Sequence, residues 1–172
     1  MAVDTKRKMF LHAEMFRVTA ETLYFDYGEA AVFKVPREIN HAFACELYLK
    51  CLLALTTPFV PKIHLLHLLF DQLPKTQKAN AVRHYQRLSA GDEAHLKFFT
   101  ENPHWKRELR ALLEGGAEVF EKVRYGYEGI PDMLTSFHWP ICALRECIFE
   151  IHPDWRPKNP TYIKKKPTSP IR

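Results

Sequence analysis

Residues 40–55, NHAFACELYLKCLLAL, decide the fold. Apolar side chains fall on nearly every side of a helix drawn through this stretch, and its only Asp, Glu, Lys or Arg are Glu46 and Lys50, four residues apart. A helix of that kind is buried on most sides. A lone buried charge costs several kcal/mol, so Glu46 and Lys50 must pair with each other, with another ion or with a ligand. The two are expected to form either a structural ion pair or the floor of a site.

Around this helix the chain has the size and apolar content of one domain, with 172 residues, 47% of them hydrophobic. There is no run of about 18 uncharged apolar residues, and the opening MAVDTKRKMFLHAEMF meets charge too early for a secretory signal core. The expectation is a soluble cytoplasmic protein with no membrane contact. Cys45, Cys51, Cys142 and Cys147 lie inside apolar helical patterns and form no C-x-x-C, so they read as reduced core thiols.

The formal charge of +5 suggests nucleic acid until it is located. Residues 153–172 carry six Lys/Arg and one Asp, which accounts for all of it, and the preceding 152 residues are neutral. The chain therefore divides into a helical body, 1–152, and a basic Pro-rich tail expected to be extended, 153–172. Any grip on a phosphate backbone must come from the tail, including Lys164, Lys165 and Lys166, or from a local patch.

Periodicity predicts a first helix over about 6–24, with Leu11, Met15, Val18, Thr22 and Phe25 as its apolar stripe. Residues 26–36 read as a loop or one isolated strand, with Pro36 opening the second helix. Further helices are expected at 64–73 and 75–88. Another should start at the cap Asn102-Pro103 and keep its period to Val123, with Gly115-Gly116 as the point where it can bend or divide, and a last one should span 133–151 with Pro140 as a kink. The fold class is all-α, an antiparallel bundle of four or five main helices.

Three segments together resemble the HEPN family, the higher eukaryote and prokaryote nucleotide-binding domain. They are AFACELYLKCLLAL (42–55), HLLHLLFDQLP (64–74) and AEVFEKVRYGYEG (117–129). The match covers residues 37–150, and the first helix and the tail lie outside it. The resemblance implies a HEPN-like bundle, often a homodimer. In many members it also implies a metal-independent ribonuclease of bacterial toxin–antitoxin or defence systems, whose Arg and His are separated by four to six intervening residues in a polar loop at the dimer seam. Arg would stabilise the charged phosphorane while His moves the proton of the 2′-hydroxyl.

From Arg124 the histidine would fall at 129–131, where the chain has Gly129, Ile130 and Pro131. Arg83, Arg87, Arg107 and Arg110 also lack it, and Arg7 with His12 lies outside the match. Arg124, Tyr125, Tyr127 and Glu128 therefore read in two ways. They form a divergent catalytic site using Arg124 and Glu128, or a structural lock joining Arg124 to Glu46 and Lys50. His138 is a distant candidate for the lost base. His64 and His67 have a spacing that suits metal ligands, but no acid or thiol completes a set, so neither metal nor cofactor is expected and His64 reads as a cap or a core hydrogen-bonding group. Asn80, Arg83, His84 and Arg87 share a face that could touch phosphates.

The first functional expectation is a HEPN-like protein that binds a nucleotide, RNA or partner protein in a bacterial defence, toxin–antitoxin or RNA-associated assembly, without a standard nuclease motif. The second is a divergent metal-independent ribonuclease using Arg124 with Glu128 or a distant His. The third is a structural dimerisation module.

Overall fold

The computed structural model describes residues 4–27, 31–116 and 137–158, and among these it contains α-helix and no strand. Helices α1 (Thr5–Tyr27) and α2 (Ala31–Thr56) are the longest. They run antiparallel, because their contacts step in opposite directions: Lys6 O receives the Cys51 thiol, Phe10 meets Tyr48, Phe16 stacks on Phe43, and the Arg37 guanidinium lies over Tyr24. Between Ala42 and Leu53, α2 buries Ala42, Ala44, Cys45, Tyr48, Leu49, Cys51, Leu52 and Leu53. It is the central helix, packed against α1 and against the elements that follow.

Those elements are α3 (Leu66–Asp71), α4 (Lys75–Ser89), α5 (Glu93–Glu101), α6 (Leu109–Gly115) and α7 (His138–Ile151), closed by a 3-10 turn at Pro153–Trp155. Helix α7 places Leu144, Cys147 and Ile148 in the core and packs along α2 and α4. It runs antiparallel to α1, with Phe149 against Phe10 and Arg145 against Glu14.

Several local expectations are corrected. The stretch 26–36 is not a loop or strand from 31 onward, because α2 begins at Ala31 and carries Pro36 inside it. A proline there removes one helical N–H, while Asn40 Nδ2 donates to the Pro36 carbonyl at 2.7 Å, and packing against α1 outweighs the local signal. On α1 the inward residues are Phe10, Ala13, Ala20 and Glu21, whereas Leu11 is 44% and Met15 66% exposed. Leu11, Met15 and Thr22 of the stripe read from periodicity face outward and Val18 is half-buried, because charged residues that pair with one another occupy the inner face; Phe25 lies outside the described side chains.

Asn102-Pro103 closes a helix rather than opening one. Asp92 accepts the His95 N–H at 3.0 Å and starts α5, and both the backbone N–H and Nδ2 of Asn102 return to the Phe98 carbonyl at its end. Helix α6 stops at Gly115, where the glycine pair allows a division, and the expected continuation over 117–123 and the start of the last helix at 133–136 lie outside the described residues. The next residue, Gly116, is packed by the Phe137 ring so closely that a Cβ would sit 1.7 Å from Phe137 Cζ. Pro140 stands in the first turn of α7, where its missing N–H has no helical partner to lose, so no kink follows. The tail begins with structure, since Trp155 packs 5.4 Å from the Phe10 ring.

Candidate functional site

Helix α2 presents Glu46 and Lys50 one turn apart, and Lys50 Nζ donates to Glu46 Oε1 at 2.8 Å. His64 Nδ1 donates to the same oxygen at 3.0 Å from the segment leading into α3. Glu46 is buried, but the His64 side chain is 75% exposed, so this cluster sits at the edge of the core and meets water. It is an ion pair with an imidazole lid. Arg124, which sequence reading joined to it, lies outside the described residues, as do Tyr125, Tyr127, Glu128, Lys164, Lys165 and Lys166.

The interior holds a larger polar hub. Glu14, on the inner face of α1, accepts Nε at 2.6 Å and Nη2 at 3.0 Å from Arg145 of α7, Nη2 at 3.0 Å from Arg17, and the Tyr48 hydroxyl from α2. Arg17 reaches onward to Glu21 at 2.5 Å. Burial alone would raise the Glu14 pKa, but the Arg145 and Arg17 hydrogen bonds and charges outweigh it and hold the carboxyl below its ordinary value. Burial, and next the Glu14 charge, push the Tyr48 phenol well above its usual value, so it remains a donor. One carboxylate therefore ties three helices together. Sequence reading missed it because Arg145 lies 131 positions away. The visible signal was a set of charges, Glu14, Arg17 and Glu21, at helical spacing on one face.

A second buried pair lies on α2. Arg37 Nε donates to Glu38 Oε1 at 2.9 Å, and His41 stands 3.6 Å from Glu38 Oε2 without a hydrogen bond to either ring nitrogen among the described residues.

The basic face of α4 is occupied from within. Glu150 of α7 accepts Asn80 Nδ2 at 3.0 Å, Arg83 Nη2 at 2.7 Å and His84 Nε2 at 2.8 Å, while Arg87 Nη2 donates to His84 Nδ1 at 3.3 Å. An acid centred among these groups lowers the potential that a phosphate would meet.

The C-terminal end of α7 presents a different surface. His152 ends the helix, and its imidazole stacks on the Trp155 indole with centroids 4.3 Å apart and planes 10° from parallel. The Arg145 and Arg156 guanidiniums lie 4.6 and 4.4 Å from the centroid of the Phe149 ring. Arg156 also makes a bidentate pair with Glu146 at 3.2 and 2.7 Å. Both guanidiniums are offset by carboxylates, so the surface suits a flat ring better than a bare phosphate.

Arg145 and His152 are separated by six residues, the interval implied by the resemblance, and a seven-residue step returns to one helix face. Neither the Arg124 segment nor the other arginines singled out in the sequence include this pair. His138, proposed as a distant base, instead stands 3.8 Å from the Cys142 sulfur, and burial holds its pKa below the usual histidine value. Burial pushes the Cys142 thiol to about 11 and the Cys51 and Cys147 thiols to about 12, which suppresses thiolate chemistry at all three. Among the described residues no group of three or more His, Cys, Asp or Glu is placed to hold a metal ion, and no helix is long and apolar enough to cross a membrane. No protein-family model, curated protein or solved structure matches the chain.

Proposed function

We propose that the chain is a HEPN-like helical-bundle protein that binds RNA at the end of α7 and does not cleave it, in keeping with the bacterial defence or toxin–antitoxin setting that the resemblance implies. The observation that carries this reading is the stacked pair His152 and Trp155 beside Arg156. In sequence it leads directly into Lys158 and the run Lys164-Lys165-Lys166. Ring stacking gives sequence-tolerant contact with single-stranded bases, and clustered cations add a salt-sensitive hold on the backbone.

The absence of cleavage follows from how the arginines are engaged. A catalytic arginine must turn its fork toward the charge that develops on phosphorus. Arg145 spends Nε and Nη2 on Glu14, whose negative charge also cancels its field.

A second reading is a ribonuclease using Arg145 with His152, and their six-residue interval favours it. Digestion of single-stranded RNA in EDTA separates the two. The binding reading expects labelled RNA to bind with no cleavage, and His152→Ala to weaken binding while Arg83→Ala changes little. Robust cleavage that His152→Ala abolishes would establish the ribonuclease instead.

A further inference from the structure

Helix α1 carries an apolar stripe that is exposed at Leu11 and Met15 and half-buried at Val18. Leu11, Met15, Val18 and Thr22 follow one another at steps of four, three and four, the spacing of a two-helix seam. Leu11 is 44% and Met15 66% exposed, and Thr22 is exposed as well. Between Leu11 and Thr22 the exposed residues of α1 are Leu11, His12, Met15, Thr19 and Thr22, none of them Asp, Glu, Lys or Arg. Charge depletion over an exposed apolar stripe marks a protein contact rather than a nucleic-acid one.

The charges at the ends of α1 indicate what covers it. Its first turns carry Lys6, Arg7 and Lys8, with no acid in the first turn, and its last turn holds Asp26 and no basic residue. Asp4 caps the start of the helix, its Oδ1 accepting the Lys6 N–H at 3.3 Å, but three cations against this one acid leave that end net positive, and an anion at the C-terminal end opposes the helix dipole. A second copy of α1 laid antiparallel sets the net-positive start of one helix beside the acidic end of the other. With Met15 of one helix against Val18 of the other, Leu11 lies opposite Thr22, and Arg7 and Lys8 lie beside the turn that contains Asp26. A parallel copy would set the cations against each other.

We infer that the chain forms a twofold homodimer through antiparallel packing of α1 along Leu11, Met15, Val18 and Thr22. This contact is isologous, as a twofold requires. It lies on a helix outside the segments that carry the HEPN resemblance, on a different face from Phe10, which packs on Trp155. A four-turn helix pair is a small interface, so the dimer dissociates on dilution.

Sedimentation velocity of the full chain across a dilution series tests the inference. The expected result is a monomer–dimer equilibrium that Met15→Glu weakens at least tenfold while the far-ultraviolet circular dichroism is unchanged, as suits so exposed a site. The arrangement is read by disulfide trapping. A Leu11→Cys/Thr22→Cys chain should cross-link to dimer on oxidation, and Leu11→Cys alone should not exceed the wild type. A wild type that stays monomeric, a Met15→Glu variant that dimerises normally, or efficient cross-linking by Leu11→Cys alone would each overturn the proposal.

Discussion

Glu14 and Glu46 lie on neighbouring helices and both remove a carboxylate from water, yet they are satisfied in opposite ways. Glu46 takes Lys50 from its own helix and an exposed imidazole from the next segment. Glu14 takes one partner from α1, one from α2 and two N–H groups from α7. The first arrangement is local and leaves water as a substitute partner. The second makes the charge of one helix depend on the position of two others, so it fixes how α7 lies on the α1–α2 pair, and with it where His152 and Trp155 are presented.

The largest effect should therefore come from Glu14→Ala. Removing the shared acceptor leaves Arg17 with Glu21 alone and strands Arg145 and the buried Tyr48 hydroxyl, and urea unfolding should show a loss of about 3 kcal/mol or more. Glu46→Ala should cost about 1 kcal/mol, because Lys50 and His64 recover water when their partner goes. Equal losses in the two variants, or a Glu14→Ala melt within about 0.5 kcal/mol of the wild type, would erase the distinction between hub and edge.

Acid should expose the same distinction more gently, in two windows. His138 and His95 have folded-state pKa values lowered by burial from the ordinary 6.5, so the unfolded chain binds more protons just below that value and stability declines there as pH falls. Glu14 is held below its ordinary 4.5, so its contribution is complete above that value and is lost as pH drops from 4.5 through the folded-state value. Thermal melts between neutrality and pH 3 should fall in both windows, and Glu14→Gln should remove part of the lower one only. A single drop centred near neutrality, unchanged in Glu14→Gln, would contradict the assignment.

What could be read before the structure followed the range of the interactions. The core helix α2 and the basic helix α4 were legible because their signals, apolar content and a bounding proline, are local. The inner face of α1 was not, since whether Leu11 or Glu14 turns inward depends on Arg145, which only the fold brings near. Asn102-Pro103 suits either end of a helix on local chemistry, and the Phe98 carbonyl decided which. At the candidate site, the Arg145–His152 interval was plain in the sequence, whereas the stacking of His152 on Trp155 required knowing that the chain turns back after Pro153.

RNA binding at the end of α7 is tested most directly by titrating labelled single-stranded RNA against the full chain at several salt concentrations, beside His152→Ala and a chain ending at Lys158. The shortened chain keeps Trp155 and Arg156 but loses Lys164, Lys165, Lys166 and Arg172. The prediction is a split. His152→Ala should weaken binding about tenfold at every salt concentration with an unchanged slope, as loss of a stacking contact does. The shortened chain should show a flatter salt slope, as loss of backbone cations does. A full chain that does not bind RNA, or a His152→Ala variant that binds as tightly as the wild type, would contradict the account.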